Sequence, residues 1–123
     1  MARTNIAGSS PYEPIVGFSR AVRIGDIVHV AGTAPVGAEE LSVYQQTRTA
    51  LALIGKALTE AGAGFEQVVR TRMYITHVED WREVGRAHGE IFGEIRPAAT
   101  MVVVKELLNA KWRVEIEAEA ILS

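Results

Sequence analysis

Apolar and polar residues alternate most strictly near the C-terminus, where Val114, Ile116, Ala118 and Ala120 are separated by Glu115, Glu117 and Glu119. A period of two places the two sets on opposite faces of a strand. The pattern therefore predicts a strand over 113–121 with an apolar face and, with Arg113, a charged face. Val68–Ile75 alternates as well, with Val69, Thr71, Met73 and Ile75 on one side and Arg70, Arg72 and Tyr74 on the other. Residues 98–104 are apolar on both sides, Met101 and Val103 against Val102 and Val104. Strands of that kind are usually covered on both faces. Ile27–Ala31 is a short β-rich run stopped by Gly32. With an extended 16–22 segment across the turn at Gly25 and Asp26, it reads as a hairpin.

Two stretches change to helical spacing. Thr47, Ala50, Leu51, Ile54, Ala57, Leu58 and Ala61 form one apolar stripe, opened by the capping box Ser42-x-x-Gln45 and stopped by Gly62 and Gly64. The spacing predicts a helix over 43–61. A second helix is predicted over 79–92, with Trp81, Val84, Ala87 or His88, and Ile91 on its stripe, Glu79 and Asp80 in its first turn and Gly93 at its end. Gly85 and Gly89, four residues apart, permit close packing on a sheet. Residues 1–14 are polar, carry Pro11 and Pro14, and read as an irregular arm. The element order is β-β-α-β-α-β-β: a mixed α/β (α+β) sheet with two helices on one face. The uncovered face then meets water or a second subunit, and the two-sided 98–104 strand favours a closed homo-oligomer.

The chain's 123 residues fit a single domain, 1–123. A net charge of −2 carries no electrostatic footprint for nucleic acid, so a nucleic-acid partner is not expected. Cysteine is absent, which removes disulfides, thiol nucleophiles and thiolate metal sites. No apolar run has the length of a membrane span and the N-terminus lacks a signal-peptide core, so the expectation is a cytoplasmic protein without a membrane partner. His29, His77 and His88 show no metal-ligand spacing, and no metal site is expected. Glycines match neither a dinucleotide fingerprint nor a phosphate-binding loop, so no nucleotide cofactor is expected.

The remaining chemistry is carboxylate chemistry. Glu117 and Glu119 are expected to be neutralised by Arg70 and Arg72, or by Arg20 and Arg23. Glu115, nearest the start of its strand, is the one placed to face a cleft, where a carboxylate orients or deprotonates water.

Nearly the whole chain, from about residue 12 to 122, resembles the RidA/YjgF family of reactive-intermediate deaminases. The resemblance is carried by Gly17-Phe18-Ser19-Arg20-Ala21-Val22, Val30-Ala31-Gly32-Thr33-Ala34-Pro35, Gln46-Thr47-Arg48, Val68-Val69-Arg70-Thr71, Arg96-Pro97-Ala98-Ala99-Thr100 and Val114-Glu115-Ile116-Glu117-Ala118, in that order and spacing. It implies a chorismate-mutase-like subunit, a homotrimer with ligand clefts between subunits, and cofactor-free hydrolysis of enamines or imines such as 2-iminobutanoate.

Residue by residue, the family's catalytic-site glutamate is matched by Glu115. The substrate-binding positions fall on Phe18, Ala31, Gly32, Thr33, Ala99 and Thr100. The family's cleft tyrosine is Phe18 here, its helix asparagine is Gly85, and Ala31 stands where serine is common. The arginine that clamps the substrate carboxylate in Pro-Ala-Arg-Ser is Ala99, followed by Thr100 in place of the serine. Two other cations, Arg96 and Arg20, are candidates for that anchor. The resemblance therefore implies a divergent hydrolase of a small molecule for which standard 2-imino acids are poor substrates. The alternatives are a non-catalytic trimer that binds a small molecule and, with less support, an endoribonuclease or translation inhibitor.

Overall fold

The computed structural model describes all 123 residues. One sheet in the order β1-β2-β3-β6-β4-β5 carries two helices on one face. The strands are β1 (Arg3–Ile6), β2 (Ala21–Ile24), β3 (Ile27–Thr33), β4 (Val68–Ile75), β5 (Ala98–Val103) and β6 (Val114–Ile121), and the helices are α1 (Val43–Glu60) and α2 (Trp81–Phe92). Every neighbouring pair is antiparallel except β4 and β5, so the sheet is mixed as its sequence predicts.

β6 lies between β3 and β4, and its apolar set is buried under α1: Val114, Ile116 and Ala120 are fully buried, as are Ala50, Leu51, Ile54 and Leu58 of the helix. The carboxylates of β6 occupy the open face. α1 begins at Ser42, whose hydroxyl accepts from the Gln45 amide at 3.2 Å, and it ends before Gly62, whose φ of 85° is the left-handed stop. The turn between β2 and β3 is two residues long with Gly25 first at φ 58°, as a tight hairpin requires.

Five local expectations are corrected. Residues 1–14 are not an irregular arm: Arg3–Ile6 is an edge strand paired to β2, and Glu13–Gly17 is a single π-helical turn. The strand is polar and short, and exists because β2 offers an open edge, which no local pattern reveals. Val69 does not share a face with Thr71. The β4–β6 register shifts between Val68 and Arg70, so Val68 is buried and Val69 is 44% exposed. Arg113 does not join the glutamate row. It precedes β6 and clamps the buried Asp80 in a bidentate pair at 2.7 and 3.0 Å.

The second helix is also less regular than its spacing predicts. Its first turn, Val78–Asp80, is 3-10, Trp81 is half exposed, and a Cβ at Gly85 or Gly89 would meet open space rather than the sheet. Finally, Gly32 does not stop β3. The strand runs to Thr33 through a bulge, because Val30 pairs with Ala118 and Thr33 with Ile116, giving β3 one extra residue.

Gln46 ties α1 to the approach of β6. Its amide donates to the Lys111 carbonyl at 3.1 Å and to the Leu41 carbonyl at 3.3 Å, and its oxygen accepts from the Arg113 amide at 2.9 Å. The side chain is 1% exposed, so water cannot replace it. Gln46→Leu keeps the bulk and strands these backbone groups. The expected loss is about 1–3 kcal/mol, read as a lower denaturant midpoint at unchanged slope.

Candidate functional site

The bulge in β3 is where the sheet opens. Ala31 and Gly32 lie at its crest, and β6 passes behind it. A Cβ on Gly32 would collide with the Glu115 carboxylate, so glycine is what lets that carboxylate lie against the strand. In front is a cavity of about 350 Å³, lined by Tyr12, Phe18, Arg20, Ala31, Gly32, Trp112 and Glu115 among others. That volume is in the range of small-ligand sites, roughly 300–1,000 Å³. Most of its wall is apolar: Trp112 meets Tyr12 edge-on at 6.2 Å between ring centres, and Val16 and Leu108 stand on the rim.

Glu115 is half-buried and makes no side-chain hydrogen bond or ion pair. Burial raises its pKa above the ordinary carboxylate value. Arg20 opposes that shift and Glu117 adds to it. Its neighbours on the ladder differ. Glu117 accepts from Arg72 Nη1 at 3.2 Å and from the Tyr74 hydroxyl at 3.0 Å, and Glu119 lies 3.6 Å from Arg72 and 3.1 Å from His29 Nδ1. Arg72 thus compensates both glutamates, as expected of the open face. The other arginines do not take part. Arg70 donates to the Thr100 hydroxyl at 2.8 Å, and Arg23 donates to the Ala61 carbonyl at 2.8 Å, where it caps α1.

The chain brings four of the sequence-derived positions together: Phe18, Ala31, Gly32 and Glu115. The other three lie elsewhere. Thr33 is fully buried. Its hydroxyl donates to the Ala31 carbonyl at 2.7 Å and accepts from Arg20 Nη1 at 3.1 Å, so it braces the bulge from behind. Thr100 is on the open face with Arg70, and Ala99 is exposed on edge strand β5, in register with Thr71. Ala99 and Thr100 therefore do not line the cavity. Arg96 is exposed, holds a left-handed φ of 58°, and is also remote from the lining. Arg20 is in it.

The residues a pattern search does not find here are Tyr12, Trp112 and Leu108. They come from the π-helical segment and the loop before β6, neither of which has a periodic signal. His88, a lone histidine, is bonded to Thr71 Oγ1 at 2.9 Å between α2 and the sheet, and burial lowers its pKa. No three His, Cys, Asp or Glu side chains converge as a metal site would need. No helix is long and apolar enough to cross a membrane.

A mixed six-stranded sheet with two helices on one face and a cavity lined by a carboxylate beside a bulged strand defines a small α+β protein. Comparison with known proteins gives the family. The model of the family described as endoribonuclease L-PSP matches residues 8–122. An uncharacterized protein of Streptomyces coelicolor is 40% identical over 119 residues, covering 94% of this chain and 89% of that one. A RutC family protein of Pyrococcus abyssi is 32% identical, covering 98% and 97%. Among solved structures, a YjgF/YER057c/UK114 family member from Mycobacterium tuberculosis superposes with a TM-score of 0.92 at 48% identity, covering 98% of this chain and all of that one. A Rid family protein of Yersinia pestis reaches 0.86 at 28% identity, with 98% and 100% covered. The chain belongs to the Rid/YjgF family.

A raised carboxyl pKa has a stability consequence of definite sign. The fold favours the protonated form of Glu115, so stability is lost as pH rises through the ordinary carboxylate range and up through the raised value. Glu115→Gln lacks that term. Its melting temperature relative to wild type is expected to rise as pH climbs upward from the ordinary carboxylate range, about 4. A difference that is flat or shrinks over that range overturns the electrostatic account of the site.

Proposed function

We propose that this protein is a cofactor-free hydrolase of a small metabolite, with Glu115 as the residue that handles water. The observation that carries the reading is a half-buried carboxyl group with no ion-pair partner, at the floor of an apolar cavity beside a strand bulge. Perturbed carboxyls in clefts are where acid–base chemistry is found. For an imine, Glu115 would take a proton from water as the oxygen bonds to the imine carbon. That proton passes to nitrogen to give a carbinolamine, the hydroxyl proton is then relayed by the same carboxylate to nitrogen as the C–N bond breaks, and ammonia leaves behind a carbonyl compound.

The proposal includes a homotrimer whose subunits close the cavity. Support comes from edge strand β5, which leaves Val102 43% and Val103 52% exposed on its two faces. Ala99 and Gly85, the positions that resemble substrate-contacting residues of the family, also lie at this edge and on α2, away from the chain's own Glu115. They would reach a cavity only across a subunit contact. A non-catalytic trimer that binds a small molecule is the second reading, favoured by the loss of polar groups at Phe18, Ala31 and Ala99. The nuclease named in the family model's description has less support, because Arg23, Arg70 and Arg72 are engaged within the chain and form no free basic stripe. The reading places the protein in the cytoplasm.

The test is ammonia release from a panel of imines made in situ by an amino-acid oxidase or dehydratase. Turnover above background is expected for at least one member, with 2-iminobutanoate among the slowest, and Glu115→Gln is expected to reduce it by about 100-fold or more. Hydrolysis that survives the substitution removes Glu115 from the chemistry. A silent panel leaves the binding trimer. The trimer itself predicts a sedimentation mass three times the 13.4 kDa of the chain.

A further inference from the structure

Arg20 is the most anomalous charge in the molecule. It is 8% exposed, and it forms no ion pair although Glu13 and Glu115 are its nearest carboxylates. Glu13 is occupied elsewhere, accepting from the Gly8 amide at 2.9 Å and the Ser10 amide at 3.2 Å. Of the guanidinium, only Nη1 is engaged, with the Thr33 hydroxyl at 3.1 Å, and Nε is buried with no hydrogen-bond partner. A buried, unpaired cation is costly, and folds that keep one usually supply a counter-charge. Here neither carboxylate forms an ion pair with Arg20, and the group lines the cavity that Glu115 also lines.

The placement of the charge is enforced. Arg20 packs over the Phe18 ring at 5.4 Å, its β-carbon lies against Gly8, and its backbone bridges the Ile6 carbonyl and the Ala31 amide at 2.8 and 2.9 Å. Thr33 then holds one nitrogen from behind the bulge. Nε is shut off from solvent, so Nη2 is the nitrogen left to donate a charge-assisted hydrogen bond to an anion in the cavity. Beyond it the wall is aromatic and aliphatic, with Tyr12, Trp112, Val16 and Leu108.

We propose that Arg20 is the anion anchor of this cavity, and that the ligand is a small carboxylate bearing a bulky apolar side chain. Its carboxylate meets Arg20 Nη2, its side chain lies against Tyr12 and Trp112, and the intervening carbon faces Glu115. The proposal rests on reading the cavity as the substrate site, and it moves the anchoring charge from position 99, which lacks one, to position 20.

Two stable ligands that differ only in charge test it: 3-phenylpropanoate and 3-phenylpropanamide, titrated calorimetrically into the full-length protein. Wild type is expected to prefer the carboxylate by about tenfold or more, the scale of a lost charge-assisted pair. Arg20→Gln should abolish the preference while still binding the amide, which also shows that the cavity is intact. Arg20→Lys, which keeps the charge and loses the guanidinium donor, should reduce the preference several-fold and serves if the glutamine variant does not fold. Absence of a preference in wild type, its survival in Arg20→Gln, or an undiminished preference in Arg20→Lys overturns the anchor. Ammonia release from the imine of phenylalanine separates the two readings. A charge preference without turnover leaves the anchor and removes hydrolysis, whereas turnover without an Arg20-dependent preference does the reverse.

Discussion

Strict alternation on β6 is the constraint that the rest of the molecule answers. The strand is central, so one face must be apolar to cover α1, and with a period of two the other face receives three carboxylates in a row. Like charges at that spacing repel, and each needs an opposite charge or a hydrogen bond. β4 and β3 meet the demand for two of them, through Arg72, Tyr74 and His29. The third, Glu115, is opposite Tyr74 in register, but the Tyr74 hydroxyl is already committed to Glu117. Beside Glu115, β3 bulges, and the next cation is Arg20, beyond ion-pair reach. The most frustrated residue of the sheet is thus produced by the same pattern that stabilises its core.

The bulge makes that frustration usable. An extra residue between Val30 and Thr33 keeps Thr33 facing inward, opposite Ile116, while Ala31 and Gly32 swing out. Gly32 provides the room for the Glu115 side chain, and Thr33 bonds both the Ala31 carbonyl and Arg20. Three consecutive residues therefore serve the carboxylate, the wall and the cation. Rigid strands on both sides hold the geometry, which is what a site requires of its supporting shell.

How far this was legible in the sequence follows from which interactions are local. β6, β4 and α1 were readable because their periodicity is strong and their burial follows it. Glu115 stood out for its place at the start of a charged ladder and for its match to a family glutamate. Phe18, Ala31 and Gly32 were reached through the resemblance alone. The edge strand Arg3–Ile6, the bulges at Val69 and Gly32, and the inward turn of Arg113 toward Asp80 depend on partners far along the chain, so no window of sequence contains them. The resemblance places Thr33 in the cleft, whereas it supports the cleft from behind, because a bulge changes which residues face out. Tyr12 and Trp112 went unseen because a π-helical segment and an irregular loop have no period to read.

Alanine at position 99 is the departure that shaped the functional reading, and the fold changes its weight. On edge strand β5 that position is exposed and does not line the chain's own cavity. Arg20 and Glu115 lie within one chain, each short of a partner and each unfavourable for folding where it stands. A sheet selected for stability alone would replace them with apolar residues of similar volume, as buried ion pairs tolerate. Under the proposed function, two opposite charges that line one cavity without pairing are placed to meet a ligand between them.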